Sequence, residues 1–407
     1  MELSSIHGHH APQKLGGNSD ALMYAVPSTS SLGASFLFLA VFLQFIQILL
    51  FYFIPLEARY TLAGMTVFSL AICCILIKNY RYDVNLVFLS VALMFLCWII
   101  SKIFVNSEFK INFAMQQLSI PLWLLAAKSY TLQKYQSKIR IILYVILFFA
   151  CFMMLTGDSY TVGGIERPAN FIDIGGPHLS AYIALGIYIY LSSDRTDKKS
   201  NILHLLSIIT LIYIIYTYQV RTIYLAIFAY FLITLIKKTS LSKSAISFAF
   251  FEIIVFSAAI ALVVSVSTDL NQFSSGRTDV YIERLNQISQ KSLVELFFGS
   301  GPGSDLIVSD QWWWDAKNSH NDFLTILYER GLVGVIGVIL LFVGMAKGRS
   351  AETIAITSAV FIASAISNGL MSRPLAFFLF ALALSLDSAL QPSALPRASS
   401  APARSEN

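Results

Sequence analysis

Charge is scarce in this chain. Asp, Glu, Lys and Arg make up 13% of its 407 residues, against roughly 25% in soluble domains. That shortage excludes an ordinary water-soluble class. The 56% hydrophobic content and the mean hydropathy of +0.69 point the same way. Cysteine is sparse too. Cys73, Cys74, Cys97 and Cys151 all lie inside apolar runs, with neither a Cys-x-x-Cys nor a metal-ligand spacing, so they read as small core residues. A cleavable signal pattern is also missing. The start of the chain is polar, and the first apolar run is long enough to be retained as a signal anchor. The net charge of +5 does not argue for nucleic acid, because in a membrane protein the placement of Lys and Arg first sets orientation.

What the chain has in quantity is long apolar runs. They fall at about 34–55, 60–77, 84–104, 112–127, 141–156, 178–192, 201–218, 222–236, 245–266, 332–346, 351–368 and 374–390. At ~1.5 Å per residue most of them can cross a ~30 Å hydrocarbon core. The run at 112–127 is the weakest, being interrupted by Gln116, Gln117 and Pro121. The 31 Phe and 19 Tyr suit lipid-facing surfaces and interfacial belts. The expected fold is therefore all-α, a polytopic integral membrane protein with about twelve transmembrane helices and one large outer loop. Residues 1–32 and 391–407 read as disordered cytoplasmic tails flanking a membrane domain at 33–390. His7, His9 and His10 lie in the first tail, whose Gly and Ser content favours disorder over a metal site.

Orientation follows from the short connections. One alternate set carries Lys78 and Arg81, then Lys128, Lys134, Lys138 and Arg140, then Arg195, Lys198 and Lys199, then Lys237, Lys238 and Lys243, then Lys347 and Arg349. The other set carries only Arg59, Lys102, Lys110, Arg167, Arg221 and Arg373. The positive-inside rule places the first set in the cytoplasm, with both termini. The long polar island at 268–321 then lies on the outer side of the membrane.

Four positions on that side stand out: Arg167 before Pro177-His178, Arg221 at the start of a helix, Arg277 in Ser275-Gly276-Arg277, and His320 at the end of the island. Guanidinium groups grip phosphate oxygens in a bidentate fork, so together these residues read as an anion site. Each arginine alone reads better as a carbonyl cap or a lipid-headgroup partner. His320 is the candidate base, since neighbouring positive charge keeps an imidazole neutral, with Asn321 or Asp322 to orient it. The competing reading is an interfacial residue at the cap of a helix beginning near Asn321. His178 reads as supporting or structural, and His204 as structural. Gly299-Ser300-Gly301-Pro302-Gly303-Ser304 offers backbone N–H groups to a phosphate, or is simply a tight turn. Trp312, Trp313 and Trp314 stack on sugar or prenyl, or belong to an aromatic belt. Asp194 and Asp197 read as a solvated cytoplasmic loop. Glu252 and Asp387 are ionisable residues near helix ends, where they snorkel or pair, and Arg373 before Pro374 is positioned to join the anion site.

With these residues in hand, the chain resembles the O-antigen ligase and polymerase superfamily of bacterial envelope glycosyltransferases. The likeness rests on His320-Asn321, then Glu329, then Gly331-Leu332-Val333-Gly334, with the Ser-Gly-Arg of Arg277, the helix-start Arg221, and Arg167 ahead of Gly175-Gly176-Pro177. It covers about residues 160–346. His178 stands where the family often has Asn, and Val220 where it usually has Ser. The resemblance implies a periplasmic-face transfer with an undecaprenyl-diphosphate-linked glycan as donor and an acceptor glycan lipid as partner in the bilayer. Arg167, Arg221 and Arg277 would hold the diphosphate, with Asn321, Asp322, the tryptophans, His178 and Arg373 supporting. His320 would deprotonate the acceptor hydroxyl. By the same analogy no cofactor and no metal take part, and a chain-length regulator is a further partner. The His320 context and the length of the loop favour a polymerase of repeat units over a ligase to lipid A-core. A flippase or transporter predicts internal repeats and midplane charges instead, and a non-catalytic scaffold leaves His320 and the arginines without a task.

Overall fold

A computed structural model of the chain describes residues 31–50, 54–77, 80, 84–106, 109–129, 132–156, 159–162, 165–168, 177–193, 201–218, 220–238, 277–308, 316–346, 350–366 and 370–386. Helices carry nearly all of it. In chain order they are α1 (Ser31–Leu49), α2 (Leu56–Leu76), α3 (Asn85–Phe104), α4 (Ile111–Ala127), α5 (Gln136–Thr156), α6 (Pro177–Ser193), α7 (Asn201–Tyr218) and α8 (Arg221–Lys238). Then come α9 (Arg277–Ser289), α10 (Leu293–Phe298), α11 (Asp322–Ala346), α12 (Ala351–Ile366) and α13 (Pro374–Leu386). Two small antiparallel pairs interrupt the all-α pattern: β1 (Ser159–Val162) with β2 (Ile165–Pro168), and β3 (Ile307–Val308) with β4 (Ala316–Lys317).

Eleven of the expected apolar runs are helices, and the twelfth, 245–266, lies outside the described residues. So do Glu252, Asp387, Asp194, Asp197, Trp312, Trp313, Trp314 and nearly all of both expected tails. α1 begins at Ser31, two residues inside the expected first tail. The four helices α1, α2, α3 and α11 are each long and apolar enough to cross a membrane, and α4, α7, α8, α12 and α13 are shorter apolar helices. Exposure fits that reading. Phe68, Ile75, Phe148, Leu155, Ile202, Tyr216 and Phe228 are all more than 60% exposed, on a scale of apolar surface that water does not tolerate. Every residue of α13 from Ala376 to Leu386 is by contrast buried. That helix is the centre of the bundle, packed on α6, α4, α12 and α1.

Hydrogen bonds between connections sort the helix ends into two groups. At one end Lys128 Nζ donates to Gly344 O (2.8 Å), Tyr135 Oη to Ala34 O (3.5 Å) and Tyr190 Oη to Gln136 O (3.3 Å). The Tyr80–Ser129 bridge joins the connections after α2 and α4 there as well. At the other end Asn321 Nδ2 donates to Ala365 O (2.8 Å), and Met371 N to Asp322 Oδ2 (2.8 Å). These gather the start of α11, the end of α12 and the start of α13. Gly303 packs there on Lys110 and Phe113 at the start of α4. Tyr182 and Thr222 share a hydrogen bond of 3.1 Å, and Ser192 and Tyr230 one of 3.2 Å. The order of these two contacts makes α8 parallel to α6. Since α6 ends at the Lys128 end, both helices start at the His320 end. α5 starts at Gln136 and runs 21 residues, roughly 30 Å, which carries the β1–β2 hairpin to the His320 end.

Candidate active site

The polar island expected as a loop is largely folded. α9 is amphipathic, with Val280, Arg284 and Ile288 buried and Ile282, Glu283 and Asn286 exposed. The spacing of the buried set is that of one helix face. α10 starts with a capping box: Glu295 N donates to Ser292 Oγ (3.3 Å), and Ser292 N to Glu295 Oε2 (3.2 Å). Both helices escape a search for apolar runs, although the Ser-x-x-Glu of the capping box was visible in the sequence.

α10 ends at Gly299, and that end lies on a break in α11. Gly331 has φ 63° and ψ −165°, a region open essentially to glycine alone. It divides the element into a half that carries Asp322, Glu329 and Arg330 and a half, 332–346, with no charged residue. A Cβ on Gly331 would stand 2.3 Å from the carbonyl carbon of Phe297, and one on Gly299 would stand 2.2 Å from Arg330 N. The two glycines let two backbones touch. Across this contact Ser300 N donates to Tyr328 O (3.0 Å) and Gly301 N to Glu329 O (2.9 Å). Gly303 N donates to Glu329 Oε1 (2.8 Å), and Gln117 Nε2 to Glu329 Oε2 (2.5 Å). One N–H of the Gly299–Ser304 turn, that of Gly303, thus does meet a carboxyl group, and that group is the chain's own Glu329 side chain.

His320 lies between two anchored residues. Before it, Ser319 is fully buried and donates twice to Asp305, through N (2.9 Å) and Oγ (2.5 Å). After it, Asn321 caps α11: its Oδ1 accepts from Phe323 N (3.0 Å) and Leu324 N (3.1 Å). His320 itself is half-buried with φ 52°, a left-handed conformation that His adopts more readily than most residues. Tyr281 Oη lies 3.2 Å from both His320 O and Ile366 O, and its one hydrogen is shared between the two carbonyls. Asp322, buried, accepts from Met371 N and Ser372 N (3.2 Å). It thereby fixes the turn before Arg373, whose charge reaches that carboxylate.

The other sequence-predicted residues are placed by their backbones. Arg277 is the first residue of α9, one turn ahead of Tyr281. Arg221 is the first residue of α8, Arg167 pairs with Tyr160 in the β1–β2 hairpin, and half-buried His178 is the second residue of α6. All four segments lie at the His320 end. The side chains of Arg167, Arg221 and Arg277 are outside the described features. Asn321 caps α11, the role weighed for it in the sequence, whereas the Asp322 carboxylate goes to the 371–372 backbone instead.

Sequence reading missed the residues behind the loop. Arg284 and Asp305 are fully buried, with Arg284 Nη2 2.7 Å from Asp305 Oδ1. That contact is an ion pair out of line for a hydrogen bond, and Arg284 Nε is buried without a hydrogen-bond partner among the described residues. Lys291 Nζ donates to Ser300 Oγ and Tyr328 O (2.7 Å each) and stands 3.3 Å from the Tyr328 ring centroid. Burial pushes its pKa down to about 8, against the pull of Glu295. Among the described residues no three His, Cys, Asp or Glu side chains gather as a metal site would need. No family model matches the chain, and no curated protein matches it.

Proposed function

We propose that the chain is a multi-pass glycosyltransferase of the bacterial inner membrane, acting on the periplasmic face as a polymerase of lipid-linked repeat units. In this reading it spans the membrane about twelve times with both termini in the cytoplasm, and the His320 end is periplasmic. The donor glycan rides on undecaprenyl diphosphate. His320 takes the proton of an acceptor hydroxyl, whose oxygen bonds to the anomeric carbon. The bond from that carbon to the diphosphate breaks, and the electron pair leaves with the diphosphate, which Arg167, Arg221 and Arg277 neutralise.

The single observation that carries the reading is the placement of His320. It is presented in a left-handed conformation between a buried carboxylate anchor and a capped helix start, at the end of the bundle where α8 and α9 begin with arginine. A histidine that merely capped α11 would not need this, because Asn321 already does the capping.

Two experiments test the reading. Deleting the gene and extracting lipid-linked glycans should leave single repeat units, some still transferred to the surface. Long chains stranded on undecaprenyl diphosphate would identify a ligase, and units trapped on the cytoplasmic side a flippase. His320→Ala should lower transfer by at least ~100-fold, the lower range for a lost general base, while the protein inserts and melts as the parent does. Normal glycan length from that variant would end the base assignment.

A further inference from the structure

We infer that Asp305, held by Arg284, is the positioning residue for His320. As far as it concerns catalysis, this rests on the function proposed above. One carboxylate joins three segments that the sequence keeps apart. Its oxygens accept from Ser319 N (2.9 Å), Ser319 Oγ (2.5 Å) and Thr325 Oγ1 (2.5 Å), and face Arg284 Nη2 at 2.7 Å. Ser319 precedes His320 directly, and Thr325 is in the first turn of α11. The loop bearing the imidazole is therefore pinned on both sides by the same group.

Arg284 brings in the third segment. It lies seven residues after Arg277 on α9, two turns along nearly the same helix face. Tyr281, between them, donates to the carbonyl of His320 itself. The helix that begins with the proposed diphosphate ligand is thus locked to the loop that carries the proposed base. Arg284 also donates to Gln287 Oε1 (2.6 Å), and its guanidinium carbon stands 3.8 Å from the Tyr328 ring centroid. The pair is buried and held from several directions, so its geometry is fixed before substrate arrives. The contacts that tie Asp305 to the His320 loop run through Ser319 and Thr325. Asp305 acts through Ser319.

The test uses the full-length protein in phosphatidylethanolamine/phosphatidylglycerol vesicles. Because Asp305→Asn in a buried ion pair risks misfolding, the deciding variants are Ser319→Ala, which loses the Oγ bond, and Ser319→Thr, which keeps a hydroxyl. Diethyl pyrocarbonate acylation of His320 is followed by peptide mass spectrometry against pH, with His204 as internal reference. Ser319→Ala should move the His320 rate roughly threefold, equivalent to about half a pH unit, while His204 does not move and Ser319→Thr restores the parent value. With lipid-linked glycan extracted from the deletion strain as probe, kcat should fall about tenfold at unchanged KM, since small displacements of a reacting group cost rate rather than affinity. Parent-like acylation and kcat in a stably folded Ser319→Ala protein would overturn the inference. If the parent protein itself transfers nothing, the function proposed above falls, and the acylation result alone still decides the positioning.

Discussion

The two ends of the bundle differ in how carboxylates are used. At the Lys128 end Lys128, Tyr80, Tyr135 and Tyr190 each give a hydrogen to a backbone carbonyl, and among the described residues the side-chain acceptor for backbone N–H groups is the Ser350 hydroxyl. At the His320 end donors such as Asn321 Nδ2 and Tyr281 Oη are joined by side-chain acceptors, most of them carboxylates: Asp305, Asp322, Glu329 and Asn321 Oδ1 each take hydrogen from backbone N–H. A carbonyl has two lone pairs and can share one with its helix, but an N–H has a single hydrogen to place. Losing a donor at the first end leaves a carbonyl that still has a use. Losing an acceptor at the second leaves a buried N–H unpaired, at about 1–3 kcal/mol for each. Side-chain identity therefore matters more at the His320 end, which is where the proposed reaction needs fixed geometry.

The sharpest way to break that contrast is Gly331→Ala. The left-handed φ and the backbone of Phe297 at 2.3 Å leave no room for a methyl group, and strain alone costs about 1–3 kcal/mol before any clash is counted. The contact between α10 and α11 would open, taking the Gly299–Ser304 turn from Glu329. The variant should fail to elute as a monodisperse species after membrane extraction. A soluble, well-folded Gly331→Ala protein would mean that the α11 break is not required.

Asp322→Ala comes next. It strips the acceptors from Met371 N and Ser372 N and should lower stability by about 2–4 kcal/mol, read as a fall in melting temperature. Asp322→Asn keeps one carbonyl acceptor and should lose less. Equal, small losses from both would show that the 370–373 turn holds itself.

A smaller effect comes from pH. The pKa of Lys291 is lowered to about 8 by burial, below its value of ~10.4 in an unfolded chain. The unfolded state therefore binds more protons between about pH 8 and 10.4, and the contribution of this group to stability rises with pH across that window. Lys291→Met removes the titration. The melting temperature of the parent relative to the variant should climb from pH 8 to pH 10, and a flat difference would place Lys291 in open solvent.

The same contrast explains what the sequence disclosed. Apolar runs at 84–104, 112–127 and 201–218 became α3, α4 and α7 within a residue at either end, because a membrane-length hydrophobic stretch has few other structures open to it. The His320–Asn321 junction was also legible, since an Asn before Asp and a new helix is a recognisable cap. α9 was not, being too polar for a hydropathy search, nor was α10, whose six residues are apolar but too few. The start of α11 was legible only through the Asn321 cap, as the apolar run taken for a span began after Gly331. Arg284 and Asp305 were invisible in another way. Each looks solvated when read alone, and only the turn through Gly299 and Gly303 brings the two charges together.

The smallest effect should come from Tyr190→Phe at the Lys128 end. Tyr190 Oη donates to Gln136 O at 3.3 Å, a long bond to the carbonyl of the first residue of α5. That oxygen keeps its place in the first helical turn when the hydroxyl goes. The ring stays in the core and leaves no cavity, because only an oxygen atom is removed. The expected loss is about 1 kcal/mol or less, with glycan transfer unchanged. If Tyr190→Phe instead destabilised the protein as much as Asp322→Ala, donors and acceptors would matter equally at the two ends. The asymmetry on which the placement of a rigid site rests would then be gone.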